Sequence, residues 1–260
     1  MVWFDGHIRD ILIRGADATC AQSGGFLMTQ GTALIIGAGS GLSASLARQL
    51  HGRGHDVVLA ARNTDKLAPL AAETDARTVA LDGSDPEAVS ALFSSLSNRL
   101  SVAVYNPSAR QRAPLVDLDP EAVRRAIEVT AFGAFLMGQA AARVMLEQAP
   151  EDGKRGTILF TGASAGVKGF AQSAPFAMGK FAQRGLAQSM ARELHPKGIH
   201  VAWVNIDGGI SNTDRPERTD DGSDKMLDPD AIATGYMQLI DQHRSAWSNE
   251  LTLRPWVERF

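Results

Sequence analysis

Thr32–Arg62 reads TALIIGAGSGLSASLARQLHGRGHDVVLAAR, and its order of residue types decides the fold. An apolar run, Ala33–Ile36, enters Gly37-Ala38-Gly39-Ser40-Gly41, after which Leu42, Leu46, Ala47 and Leu50 recur at helical spacing. A second apolar run, Asp56–Ala61, then closes a strand, turn, helix, strand unit. Glycines at the turn let the backbone bend tightly and approach a diphosphate, and the free N–H groups and positive dipole end of the next helix attract the anion. The unit therefore predicts a dinucleotide site; the alternative is a glycine turn that only packs helix against sheet.

The end of the second strand distinguishes the dinucleotides. A carboxylate there would accept from the ribose 2′-hydroxyl of NAD, whereas a guanidinium suits a 2′-phosphate. This chain has Ala60-Ala61-Arg62-Asn63, so NADP is expected, with NAD the alternative and a solvated surface cation the other reading of Arg62.

Beyond that unit, strand-like runs recur at Thr78–Leu81, Ser101–Tyr105, Thr157–Thr161, His200–Asn205 and Glu250–Leu253. Helical patterns near Thr64–Ala72, Pro86–Leu96, Pro120–Gln148, Pro175–Leu194 and Pro229–Asp241 lie between them. Parallel strands need helical crossovers, so this alternation predicts an α/β fold: one doubly wound parallel sheet of about seven strands with helices on both faces. The chain has 260 residues, 44% of them hydrophobic, enough for a substantial core in a single domain spanning 31–260. A polar loop over 208–228, beyond a late strand, would overhang the ligand crevice of such a sheet; it reads either as a substrate lid or as a mobile surface loop.

Composition excludes several partners. Formal net charge is −3, which gives no basic field for nucleic acid, and no polybasic or long apolar segment points to a membrane. The single Cys20 forbids an internal disulfide, and His7, His51, His55, His195, His200 and His243 are too scattered for a metal site. A reducing cytoplasm is the expected compartment. Residues 1–30 read as an N-terminal extension: Arg9 and Arg14 interrupt its longest strongly apolar run, Ile11-Leu12-Ile13, so it lacks the core of a secretory signal. Met28, four residues before the first strand, is expected to be the natural start, with a docked arm as the alternative for the preceding segment.

With these motifs in order, the chain resembles the short-chain dehydrogenase/reductase family over Gly31–Phe260. The glycine turn is similar to that family's Thr-Gly-x-x-x-Gly-x-Gly, with Ile36 replacing Thr and Ser43 replacing the last Gly. Asp82-Gly83 stands where the family has an adenine-contacting Asp after the third strand, and Tyr105-Asn106-Pro107-Ser108 stands where it has Asn-Asn-Ala-Gly after the fourth. Ile206-Asp207-Gly208-Gly209-Ile210 resembles the segment usually beginning Pro-Gly, whose backbone faces the nicotinamide amide. The resemblance thus implies a Rossmann-type fold whose cofactor contacts are Gly37, Gly39, Ser40, Gly41, Leu42, Arg62, Asp82, Gly83, Asn106, Lys180 and Ile210.

The same resemblance implies a tyrosine four residues before a lysine on one helix, a serine thirteen positions before the tyrosine, and an asparagine in the preceding long helix. Here the lysine is Lys180, the tyrosine position holds Phe176, the serine position holds Ala163, and the asparagine position holds Thr130. Phenylalanine has no proton to give, and losing a positioned general acid costs about 10²–10⁴ in rate without removing hydride chemistry. Replacement donors are Ser164, beside the empty serine position, and Tyr105, after the fourth strand; Thr130 and Thr161 are weaker candidates, and Tyr236 reads as structural.

Two function classes follow. One is an NADP(H)-dependent oxidoreductase moving hydride to or from a small carbonyl or alcohol, with a hydroxyl or a water on Lys180 as an atypical proton donor. The other is an inactive NADP(H)-binding sensor or partner subunit. Family members commonly assemble through the two long helices equivalent to Pro120–Gln148 and Pro175–Leu194, and small residues such as Ala131, Gly133, Ala134 and Gly138 permit close approach, so a homodimer or homotetramer is expected. The apolar C-terminal stretch Pro255–Phe260 is expected to pack across a subunit boundary or over a neighbouring pocket.

Overall fold

Strand β1 (Thr32–Ile36) alternates its side chains between two cores, and that alternation organises the molecule. Leu34 and Ile36 join an apolar cluster on one face, Ala33 and Ile35 the cluster on the other. Because both faces of a parallel sheet are covered, successive apolar residues are all buried rather than every second one. The computed structural model describes residues 30–258. The seven-stranded sheet has the order β3-β2-β1-β4-β5-β6-β9, and all its pairings are parallel. Its other strands are β2 (Asp56–Ala61), β3 (Arg77–Ala80), β4 (Leu100–Tyr105), β5 (Gly156–Thr161), β6 (Ile199–Ile206) and β9 (Glu250–Leu253). A short parallel pair, β7 (Gly209–Ile210) with β8 (Met226–Leu227), closes the base of the loop beyond β6.

Helices α1 (Leu42–Gly52), α2 (Ala68–Thr74) and α7 (Pro229–Asp241) cover one face. On the other lie α3 (Pro86–Ser94), α4 (Pro120–Ile127), α5 (Gly133–Glu147) and α6 (Ala174–Leu194). Three of them start from an aspartate that accepts first-turn N–H groups: Asp85 for α3, Asp119 for α4 and Asp228 for α7, each followed by a proline in the first turn. No side chain caps α1, and its first turn carries no acidic residue.

One expectation needs correction. The run Pro120–Gln148 reads as one continuous helix, but a π-helical turn over Glu128–Phe132 divides it into α4 and α5. A π turn leaves carbonyls off the regular ladder, so they require other donors. Tyr105 Oη donates to Val129 O at 2.5 Å, and Gln183 Nε2 donates to Thr130 O at 3.3 Å. Pro120–Glu147 is also the one helical stretch among the described residues long and apolar enough to cross a membrane; its inner residues Ala134, Met137, Ala141 and Met145 belong to the protein core. The expectations for residues 1–29, including Met28 as natural start, fall outside the described residues.

The π turn is pressed against the strand ends at Gly133. A Cβ there would meet the Tyr105 hydroxyl and lie 2.6 Å from Gly83 O. Overfilling a packed site costs about 1–3 kcal/mol. Gly133→Ala is therefore expected to lower the melting temperature by roughly 2–12 °C, at about 2–4 °C per kcal/mol for a chain of this size. An unchanged melting temperature by calorimetry would contradict this packing.

Candidate active site

The carboxyl ends of β1, β2, β4, β5 and β6 open into one cleft of about 1510 Å³. At its centre is the turn after β1. Gly37 has φ +83, and a Cβ there would sit 2.7 Å from the Pro107 ring, so the position needs glycine on both counts. Gly39, by contrast, faces open space, and together with the uncapped start of α1 it leaves a cradle of backbone donors fit for a diphosphate. Ser40, Gly41 and Leu42 line the same part of the cleft.

Ser43, the residue that departs from the family's glycine pattern, holds this turn. Its Oγ donates to Gly37 O at 3.0 Å and accepts from Asn106 Nδ2 at 2.7 Å, while Asn106 Nδ2 also lies 3.3 Å from Gly37 O. Asn106 is thereby part of the brace tying β4 to β1. Arg62, Lys66, Asp82 and Gly83 line one end of the cleft. Asp82 Oδ1 accepts from the Ser84 hydroxyl at 2.6 Å and the Ser84 amide at 2.9 Å; these bonds, helped by the charge of Arg62, hold its carboxyl below the usual range.

Deeper in the cleft is Lys180, on α6 and only 2% exposed. Its ammonium donates to Thr161 O at 2.5 Å and to Gln183 Oε1 at 3.3 Å. Burial, then the nearby Arg110 charge, pull its pKa down to about 7. Gln183 is fully buried and joins three elements: its Oε1 also accepts from Trp203 Nε1 at 3.3 Å, and its Nε2 reaches the π turn. The sequence signal for Gln183 is its place three residues after Lys180, on the same helix face.

Phe176 and Ala163 line the cleft with Lys180, and Ser164 opens a short 3₁₀ turn beside them. The Ser164 carbonyl accepts from the Val167 and Lys168 amides, while its hydroxyl has no partner among the described residues and the residue lines the cleft. Tyr105 is differently disposed: it is fully buried, its proton lies on Val129 O, and burial pushes its phenol well up. Thr130 is also fully buried, and its Oγ1 accepts from the Ala109 amide at 3.1 Å. Thr161 lines the cleft, but its hydroxyl pairs with that of the fully buried Tyr236 at 2.8 Å. Of the four hydroxyl candidates, Tyr105 commits its proton to Val129 O, Thr130 is fully buried under the Ala109 amide, Thr161 is bonded to Tyr236, and Ser164 has no hydrogen-bond partner on its hydroxyl among the described residues.

Ile210 on β7 lines the cleft, as do Gly208 just before that strand and Asn212, Arg215 and Arg218 from the loop that follows it. The C-terminal segment reaches that loop, with Trp256 Nε1 donating to Asp224 Oδ2 at 3.0 Å while its ring remains exposed. Among the described residues no cluster of His, Cys, Asp or Glu is arranged to hold a metal ion.

Comparisons with known proteins agree with this architecture. Residues 31–222 match the family model for short chain dehydrogenases. An uncharacterised oxidoreductase of Staphylococcus aureus is 27% identical over 235 residues, covering 88% of this chain and 99% of that protein. The crystal structure of a short-chain dehydrogenase from Rhodopseudomonas palustris is 36% identical, covers 87% of this chain and 99% of its own, and superposes with a TM-score of 0.73. A metagenomic short-chain oxidoreductase in complex with NADP is 26% identical, with coverages of 88% and 99% and a TM-score of 0.73. The ordered motifs, the parallel sheet and these matches place the chain in the short-chain dehydrogenase/reductase family of oxidoreductases.

Proposed function

We propose that the protein is an NADP(H)-dependent oxidoreductase acting on a small carbonyl or alcohol, with a proton donor other than tyrosine. The observation that carries this reading is the meeting of an uncapped glycine turn, Arg62 and buried Lys180 in one cleft. The NADP complex of the metagenomic relative supports the choice of dinucleotide. When bound, reduced nicotinamide would supply the hydride. The chain's part is to hold the diphosphate on the Gly37–Gly41 turn and the 2′-phosphate on Arg62, and to order the ribose with Lys180. Asp82 and Asn106 border the adenosine side and the central strand edge.

Proton supply falls to Lys180 and Ser164. A lysine with a pKa near 7 is matched to release a proton at neutral pH, which the family's ordinary phenol would otherwise do. Ser164 is placed to hydrogen-bond the substrate oxygen. The presence of Phe176 where the family has its tyrosine favours one second reading: a protein that binds NADP(H) without turnover, as a sensor or partner subunit.

Assembly through α5 and α6 belongs to the same proposal. Phe132, Phe135, Met178 and Phe181 are all more than one-third exposed on or beside these helices, and the Phe132 and Phe135 rings stack at 6.2 Å. Covering these rings in a symmetric dimer or tetramer would remove that apolar surface from water. Light scattering at micromolar concentration should give at least twice the chain mass; a monomer mass would refute the assembly.

Arg62→Ala tests the cofactor. A charge-assisted contact contributes about 1.5–3 kcal/mol, so the variant should bind NADPH roughly 10–150-fold more weakly while NADH binding changes little. Equal losses for both would remove the 2′-phosphate reading.

The pH profile and one double variant test the chemistry together. Lys180 donates only when protonated, so carbonyl reduction by the natural protein should fall as pH rises through about 7. Phe176→Tyr with Ala163→Ser should raise kcat on a reactive aldehyde by about 10²-fold or more, because a positioned acid is restored. A double variant that folds and binds NADPH yet gains nothing on a broad carbonyl panel would mean that the site has been either remodelled for other chemistry or abandoned.

A further inference from the structure

Positive charge occupies two separate regions of the cleft. Arg62 and Lys66 stand at the β2 end, where the dinucleotide reading already uses them. Arg110 and Arg112, in the segment after β4, and Arg215 and Arg218, in the loop after β7, line the other region. None of these four guanidiniums makes a salt bridge among the described residues, although nine such bridges occur elsewhere. The carboxylates lining the same region are Asp214 and Glu217, so four cations face two anions. Arg110 is closest to the chemistry: its guanidinium carbon lies 4.1 Å from the centroid of the Phe176 ring, one helical turn from Lys180. Partial withdrawal from water, then the charges of Arg218 and Arg112, disfavour the protonated Arg110, and Arg110 in turn disfavours the protonated Lys180.

Mutually repelling guanidiniums that keep no carboxylate partner are stabilised when an anion enters between them. We infer that the substrate carries an anionic group, a carboxylate or a phosphate, held by Arg110 and Arg218 with help from Arg112, while its apolar body rests on the exposed Phe170 ring. This inference rests on the reading of the remaining cleft as a dinucleotide site. It also gives the Phe176 ring a use: the flat face that seats a guanidinium is available without a phenol hydroxyl on its edge. An anion on Arg110 would relieve the repulsion felt by Lys180, so substrate binding would favour the protonated lysine at the moment a proton is needed.

Calorimetric titration of NADP-saturated protein with benzoate, phenyl phosphate and neutral benzamide tests the site. At low ionic strength at least one of the two anions should bind 10-fold or more tightly than benzamide, and the tighter of them identifies carboxylate or phosphate as the source. Arg110→Gln and, separately, Arg218→Gln should each reduce that preference several-fold while the NADP dissociation constant stays within twofold. Equal binding of all three probes would overturn the inference, and so would weakened NADP binding in the arginine variants with the anion preference intact. Protein that takes no NADP yet binds an anion through Arg110 would keep the anion site and remove the oxidoreductase reading. Protein that takes NADP and treats the probes alike would do the reverse.

Discussion

Parallel pairing of the seven strands is the constraint on which the rest depends. It forces each connection across a face of the sheet, so helices cover both sides, and it sends the carboxyl ends of all seven strands to one edge. Loops from distant parts of the sequence then meet there. Arg62, Asn106, Ser164 and Ile210 share a cleft because they follow β2, β4 and β5 or lie on β7 just beyond β6, not because they are near one another in the chain.

At that edge the molecule buries a cation, which is costly unless its hydrogen bonds are made. The Lys180 ammonium satisfies itself on Thr161 O and Gln183 Oε1, while the other end of Gln183 supports the π turn through Thr130 O. One amide side chain thus couples the lysine to the irregular backbone between α4 and α5. Close packing reinforces the coupling: a Cβ on Gly179, the residue before Lys180, would lie 2.8 Å from the Thr130 Cβ. A change at Thr130 would therefore reach Lys180 through Gln183 and the helix backbone, although Thr130 itself has no exposed surface.

The fold was largely legible in the sequence because the relevant signals are local. Apolar runs, proline and aspartate at helix starts, and the glycine turn each act within a few residues, and the strands and helices stand close to where those signals put them. The π turn was not legible, since Glu128–Phe132 has ordinary helix formers on either side and its conformation is supported by Tyr105 and Gln183, residues far off in the chain. The same distance hid Ser43's role. Its departure from a glycine pattern looks like a loss, and only the fold brings Asn106 Nδ2 to its hydroxyl. Among the candidate proton donors, residue type alone could not separate Ser164 from Tyr105; burial and the Val129 carbonyl do so.

Phe176, at the position where the family resemblance implies a tyrosine, bears on more than one proton inventory. A neutral apolar ring on the cleft wall carries no hydroxyl that would have to be hydrogen-bonded and offers a π face against which Arg110 lies. Arg110 and Lys180 are then like charges, and Arg110 makes protonation of the buried lysine harder. Such a pair responds to a third charge: a carboxylate or phosphate nearby lowers the cost of keeping both protonated, and a neutral ligand does not. Catalytic competence in this cleft would in that case be conditional on the charge of what enters it, a form of selectivity that a phenol donor, neutral in its working state, does not supply.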